Sequence, residues 1–518
     1  MVVFGPWAFG TTQPWAIHCM NGAEYAAGFL LLIKLFIRRV KGHQPPRWEH
    51  FSPRSGTLSR REPTAVRILK KILAGITLAV LMECLLSAWN AAAWYRPETR
   101  VFHYQKHFDW LPHSFDAART WAFFWKYLGL AAAFWSITDW LAGLNPKEER
   151  NLNGQAARIA VVPARLRTLL WILAVNGAIL GTEGIIQRES GTDKLLFVLE
   201  PRINTGCVSQ FASYAYRSNA AQYFNLLWPV CLGFWSILQQ SSDGRTKTHH
   251  WLLPCAAVMA ACPVISSTRG GALVAAGMLL IVIGYLSLTR IKSPLASQPP
   301  VAGSPSPPTF RRHPSAKNFP PADKPVPMSN RQPMATASAV AKNRESAWLL
   351  AAFVIVTVLL SGYVGLKSLA PRMEQISGGF ADRAALHDSA EPMARDYPLF
   401  GTGPGTFATV FQLYRYSDNV YWSEQVYDDW LETRITFGWL GFGLLLAALG
   451  VTAVRGFLPG GVRPRQLVFC AWVALGGCLV HARFDIPFQV HSTLFLFLLI
   501  CAMLLNLGRG AVASRAGG

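Results

Sequence analysis

The sequence has few charged residues. Only 15% of its 518 residues are charged, whereas 51% are hydrophobic. The charged residues collect between apolar runs of about 20 residues, the length that an α-helix needs to cross the hydrocarbon core of a bilayer. This distribution is typical of a polytopic membrane protein, so we predict an all-α fold of transmembrane helices.

Several motif classes are also absent. No Cys-x-x-Cys pair occurs among the nine cysteines, which excludes the usual zinc and redox motifs. No Lys-Ser/Thr pair follows the glycines of residues 401–405, and this stretch is better explained as a turn than as a nucleotide-binding loop. Acidic residues show no spacing typical of a metal site. We therefore expect no metal ion and no other cofactor.

The net charge of +21 does not indicate nucleic-acid binding. No basic domain with interleaved aromatic residues is present. Lys and Arg instead collect in alternate loops, as the cytoplasmic loops of membrane proteins do, and we expect membrane lipids rather than nucleic acid as partners. The loops expected in the cytoplasm are residues 38–71, 145–167, 241–250, 290–347, 456–466 and 508–518.

Apolar runs predict about eleven transmembrane spans. The same alternation places residues 94–120, 187–218, 267–271, 367–434 and 483–487 on the non-cytoplasmic face. The expected spans are residues 22–37, 72–93, 121–144, 168–186, 220–238, 251–266, 271–289, 348–366, 435–455, 467–481 and 491–507.

We divide the chain into three parts. Residues 1–289 form a first transmembrane bundle. Residues 290–347 are rich in Pro and Ser and poor in aromatics, which is typical of a disordered linker, here on the cytoplasmic side. Residues 348–518 form a second transmembrane region that carries one large periplasmic loop, residues 367–434.

Three arginines of the non-cytoplasmic segments are candidates for phosphate binding. Arg269 lies between two apolar runs, beside a glycine pair that would allow an unwound turn. Arg217 precedes a span, and Arg383 lies in the large loop. Arginine binds phosphate oxygens bidentately and keeps its charge. The alternatives are a snorkelling side chain at a helix tip for Arg269 and a solvated ion pair for Arg383.

A carboxylate cluster precedes the span at 435–455. Asp428, Asp429 and Glu432 lie within five residues of one another. Such carboxylates can accept a proton from an attacking hydroxyl. Acidic residues are also favoured at a helix start by the helix dipole, and spacing alone leaves both explanations open.

Several short motifs follow one another along most of the chain. They are residues 6–10 (PWAFG), 216–222 (YRSNAAQ), 267–271 (STRGG), Arg383, 396–403 (DYPLFGTG) and 485–487 (DIP). Together these motifs resemble the O-antigen ligase/polymerase superfamily of bacterial membrane glycosyltransferases. A further family motif is His, then Asn/Ser/Gln, nine residues, Gly, two residues, and Gly/Thr/Tyr. Tyr427-Asp428 precedes Gly438 and Gly441 at this spacing, so Tyr stands where the family has its catalytic His. Tyr is a poor base at neutral pH.

The resemblance implies a metal-independent glycosyltransferase of the bacterial inner membrane. Such an enzyme moves a glycan from undecaprenyl diphosphate to a hydroxyl of lipid A core, of another glycan or of a protein, at the periplasmic face. It implies that Arg217, Arg269 and Arg383 hold the diphosphate. The family commonly has about twelve spans, so we expect that a first helix precedes Met1 or that this member lacks it.

Because Tyr427 replaces the family's His, a neighbouring residue must supply the general base. We expect Asp428 to act as the general base, with Tyr427 as a hydrogen-bond donor to the substrate and Asp429 as the alternative base. The competing hypothesis is a non-catalytic binder of lipid-linked glycans or a polysaccharide transporter. A transporter would be favoured by inverted repeats, and the sequence shows no repeat.

The assignment of the two faces can be tested with reporter fusions. Fusions at Ser304, in the expected cytoplasmic linker, and at Asn419, in the expected periplasmic loop, should report opposite sides because of the Lys/Arg asymmetry. Activity of both fusions on the same side would overturn the topology.

Overall fold

A computed structural model gives the structure of the protein. It is 76% helical with almost no sheet, which confirms a mostly α-helical fold. The structure describes residues 1–42, 51–52, 57–58, 64–145, 148, 162–201, 206–241, 247–291, 332–367, 369–370, 376–415, 423–457 and 464–507.

Fourteen α-helices are assigned within these described residues. Two short antiparallel hairpins accompany them: β1 (Phe51–Ser52) with β2 (Thr57–Leu58), and β3 (Ala93–Arg96) with β4 (Val101–Tyr104). The helices are α1 (Phe4–Trp7), α2 (Pro14–Lys41), α3 (Thr64–Trp89), α4 (Ala117–Ala142), α5 (Ala164–Ser190), α6 (Arg217–Ser241), α7 (Leu252–Ile265), α8 (Arg269–Ile291), α9 (Gln332–Leu360), α10 (Ile376–Asp396), α11 (Phe407–Val410), α12 (Asp429–Phe457), α13 (Arg465–His481) and α14 (His491–Leu507).

Each of the expected spans overlaps one of these helices. Among the described residues, seven helices are long and apolar enough to cross a membrane, by length and composition. The apolar helices α13 and α14 are shorter, with 17 residues each. The remaining two expected spans overlap α4 and α6, which contain charged or amide side chains. The number of helices that cross the membrane therefore stays a prediction.

Helix α6 lies at the centre of the bundle. Its side chains are buried on all sides, including Trp228 and Trp235, and α5, α7, α8, α13 and α14 pack around it. A helix that is buried on every face is enclosed by other protein elements. Its amide and hydroxyl side chains are therefore inside the protein, and the first turn of α6 contributes to the site described below.

The large loop, residues 367–434, contains ordered helices. Helices α10 and α11 share a small apolar cluster that includes Met393, Phe407, Phe411 and Val426. The face of the membrane on which this segment lies stays a prediction. The expected linker 290–347 lies mostly outside the described residues, and α9 already begins inside it, at Gln332.

Helix α12 is broken at Gly438. This residue has φ 61° and ψ −167°, a conformation that is essentially restricted to glycine. The break lets Trp439 N donate to Pro398 O at 2.8 Å, while Thr402 N donates to Ile435 O at 2.9 Å. The stretch at 401–405 is thus a turn fastened to α12, and its three glycines all have positive φ, as predicted.

Substitution of Gly438 should destabilise this junction. An added Cβ at Gly438 would collide with the backbone of Leu399 and lie 2.6 Å from Gly401 N. We expect Gly438→Ala to lower the free energy of unfolding by about 1–3 kcal/mol or more. Thermal unfolding in detergent measures this effect.

Gly443→Ala is the matched control, because an added Cβ there meets no atom within 4 Å. Equal unfolding temperatures for the two variants would contradict this account of the break.

Candidate functional site

A cavity of about 540 Å³ lies where the first turns of α6 and α8 meet the end of α13 and helix α10. Its lining includes Arg217, Arg269 and Arg383, the three arginines selected from the sequence. These residues are far apart in the chain, yet the fold brings them to one cavity. The charged residue that sequence reasoning did not select is Asp485, which lines the same cavity.

Arg269 is the first residue of α8 and follows a tight turn. Ser267 has φ 60°, and Ser267 N donates to Val264 O at 2.9 Å. The sequence predicted that the glycine pair would allow an unwound turn. In the structure, Gly270 and Gly271 lie within helix α8, so the pair has a different role. A Cβ on Gly271 would lie 2.7 Å from the Ala221 Cβ, so this glycine allows α8 to approach α6 closely.

Arg217 begins α6 and is fastened to the segment that precedes it. Its backbone N–H donates to Ser209 O at 3.0 Å, and its Nη1 donates to Val208 O at 2.7 Å. These bonds fix the start of α6 at the cavity wall. The residue as a whole is half-buried and lines the cavity.

Arg383 links the large loop to the cavity. Its guanidinium donates to Phe484 O and lies 5.3 Å from the ring centroid of Tyr427. The Tyr427 ring is in turn 6.4 Å from the ring of Tyr216, another cavity residue. Tyr427 therefore lies beside two residues of the cavity wall, Arg383 and Tyr216.

Burial raises the pKa of Tyr427 above its ordinary value. Asp485 raises this pKa further, while Arg383 opposes the shift. A phenol whose pKa is raised stays protonated at neutral pH, so it can donate a hydrogen bond and is a poor base. These properties suit the donor role that the sequence suggested for Tyr427.

Asp428 makes the contacts of a helix cap. Its Oδ1 accepts from Trp430 N at 3.1 Å and from Leu431 N at 3.3 Å, and its Oδ2 pairs with Arg483. It is buried and does not line the cavity. These contacts are those of the helix-start explanation. The role of Asp428 as a base stays a prediction.

Asp429 has different hydrogen-bond partners from Asp428. Its carboxylate accepts from Phe488 N at 2.7 Å and from Gln489 Nε2 at 3.1 Å, and its own N–H donates to Ala482 O at 2.8 Å. It lines a separate, mostly apolar cavity of about 220 Å³. Neighbouring residues of a helix project about 100° apart, which is why the two aspartates face different surroundings.

Sequence reasoning missed two polar residues of the cavity. Asp485 accepts hydrogen bonds from Ser218 Oγ and, at 3.5 Å, from Tyr216 OH. His481 lines the cavity at the end of α13. The segment 485–487 offered a signal, because it lies on the expected non-cytoplasmic face. His481 offered none, since it ends an apolar run. Among the described residues, no group of three His, Cys, Asp or Glu side chains is placed to hold a metal ion.

The two aspartates should differ in their effect on stability. Asp429→Ala leaves the half-buried Phe488 N–H without its acceptor, which costs about 1–3 kcal/mol of unfolding free energy. Asp428→Asn keeps a capping oxygen and loses only an ion pair to Arg483, whose side chain is 56% exposed, so its cost should stay below about 1 kcal/mol. Thermal unfolding of both purified variants measures the difference, and a larger loss in Asp428→Asn would contradict these assignments.

Comparison with known proteins gives one family. No curated protein and no solved structure matches the chain. Residues 334–446 match the family model described as O-antigen ligase. The matched part is less than a quarter of the chain. It includes Arg383, Tyr427 and the broken helix at Gly438. This match supports the resemblance to the O-antigen ligase/polymerase superfamily that the sequence motifs indicate.

Proposed function

We propose that the protein is a metal-independent glycosyltransferase of the O-antigen ligase type. It moves a glycan from undecaprenyl diphosphate to a hydroxyl acceptor at the periplasmic face of the inner membrane. The acceptor is lipid A core, another glycan or a protein. The reaction serves the assembly of a cell-surface or exported polysaccharide.

The observation that carries this proposal is the meeting of three arginines in one cavity. Among the described residues of the lining, Arg217, Arg269 and Arg383 bring three positive charges, and Asp485 brings one negative charge. The difference between these is two positive charges, which complements the two negative charges of a diphosphate esterified at both ends. A guanidinium group binds two phosphate oxygens at once and keeps its positive charge. It therefore suits a leaving group that gains negative charge during the reaction.

The reaction itself requires little of the protein besides position and charge. An acceptor hydroxyl attacks the anomeric carbon of the glycan, the bond from that carbon to the phosphate oxygen breaks, and the lipid diphosphate leaves with the bonding electron pair. The arginines stabilise the charge that develops on the departing oxygen. Tyr427, held beside Arg383, donates a hydrogen bond to the substrate. A proton acceptor near the cavity completes the step.

The competing hypothesis of a non-catalytic glycan binder uses the same cavity, so a transfer assay separates the two. Purified protein in lipid nanodiscs, given undecaprenyl-diphosphate-linked glycan and an acceptor, should release undecaprenyl diphosphate. Binding of the donor without any release would favour the binder. A deletion strain should accumulate the lipid-linked glycan and lack the mature polysaccharide.

Arginine substitutions test the diphosphate site. Arg269→Ala should lower transfer by about 10²–10³-fold, since it removes a charged donor to the leaving group. Arg269→Lys keeps the positive charge but loses the bidentate hydrogen bonding of the guanidinium group. The transfer rate should therefore still fall by about 10–100-fold. Release of undecaprenyl diphosphate in nanodiscs measures both effects.

Arg395→Ala is the matched control. Arg395 lies in the same large loop, but its side chain is 69% exposed and pairs with Glu391 on its own helix. Wild-type rates in Arg269→Ala, at normal protein level, would remove Arg269 from the site.

A further inference from the structure

We propose that His481 is the proton acceptor of the transfer reaction and that Asp485 stabilises the imidazolium that forms. This inference rests on the proposed function and names the group that completes it. The protein thereby uses a histidine from the end of α13 where the family motif, at Tyr427, has lost one.

The residues at and beside the family's base position are occupied in other ways. Tyr427 stays protonated, because burial raises the pKa of its phenol. Asp428 is held by Arg483 and by the first turn of α12. Asp429 is bonded to the segment 488–489 and faces the apolar cavity. A proton acceptor that can reach the arginine-lined cavity must come from another element.

His481 lies at that place. It lines the cavity together with Arg217, Arg269 and Arg383, and its side chain is only 2% exposed. Its Nε2 lies 3.2 Å from the point where a Cβ on Gly270 would be, so this nitrogen faces the first turn of α8, next to Arg269. The other nitrogen, Nδ1, is buried and has no hydrogen-bond partner among the described residues. The nitrogen beside the phosphate-binding turn is therefore Nε2.

The spacing between His481 and Asp485 suits a base that becomes charged during the reaction. His481 Nε2 and Asp485 Oδ2 are 3.9 Å apart, which is too far for a direct hydrogen bond. Nε2 of the neutral imidazole can therefore accept the single proton of an attacking hydroxyl. The nearby carboxylate then stabilises the imidazolium that forms.

Asp485 is fixed by its own donors. Its Oδ2 accepts from Ser218 Oγ and, at 3.5 Å, from Tyr216 OH, and its Oδ1 accepts from Ile486 N at 3.0 Å. Both carboxylate oxygens are therefore engaged before a substrate arrives. This arrangement holds the Asp485 carboxylate in place beside His481, and the proton moves to His481.

The chemical step is balanced with these groups. The acceptor oxygen forms a bond to the anomeric carbon while its proton moves to Nε2 of neutral His481. The bond between that carbon and the phosphate oxygen breaks, and the electron pair leaves with undecaprenyl diphosphate on the arginines. His481 then carries one positive charge beside Asp485, which stabilises it, and returns the proton to water after the product leaves.

Substitution of His481 should affect the transfer step and not donor binding. In nanodiscs, His481→Gln should lower the rate of transfer by about 10²–10⁴-fold, the usual contribution of a general base. Binding of undecaprenyl-diphosphate-linked glycan should change less than about twofold, because the arginines remain. His113→Gln, a half-buried histidine outside the cavity lining, is the matched control and should transfer at the wild-type rate.

Chemical rescue separates a base from a structural residue. His481→Ala opens space beside a cavity of about 540 Å³, and added imidazole should restore part of its transfer activity. A loss of transfer that imidazole does not restore would assign His481 a structural role and overturn the proposal. Normal transfer by His481→Gln would also overturn it, and would leave the proposed function standing. If wild-type protein neither binds the donor nor transfers the glycan, the proposed function itself fails.

Discussion

The candidate site depends on one short turn between α13 and α14, residues 482–490. The Ala482 carbonyl and the Arg483 side chain hold the start of α12. The Phe484 carbonyl accepts from Arg383 of α10, and Asp485 joins the first turn of α6. Every helix that brings a candidate residue, other than α8, is therefore fixed by direct hydrogen bonds to this turn. Substitutions within it should not act independently of one another, since they share partners.

The turn is also held from the interior of the bundle. Lys126 of α4 donates to Gln489 O at 3.0 Å, and its ammonium interacts electrostatically with Asp429, Glu24 and Glu432. A charged side chain at such depth is costly unless it meets opposite charges. Because these carboxylates come from α2 and α12, Lys126 links both helices to the turn between α13 and α14.

The sequence was informative where the signal is local. Apolar runs located the helices. The charges of the loops placed Arg217 and Arg269 at the same ends of their helices. This charge pattern was the reason to expect the two side chains at one site. The glycine pair after Arg269 was misread, because a close approach between helices depends on partners distant in the chain. His481 was missed for the same reason. The role proposed for His481 depends on its position beside Asp485 and beside the first turn of α8. An apolar run of sequence does not show that either neighbour is there.

Whether the three arginines hold a lipid diphosphate can be seen in a cryo-EM structure of the protein with undecaprenyl diphosphate in nanodiscs. We expect both phosphates in the cavity, with oxygens within hydrogen-bond distance of the guanidinium groups of Arg217, Arg269 and Arg383. A diphosphate bound at another place, with this cavity occupied only by water, would contradict this expectation.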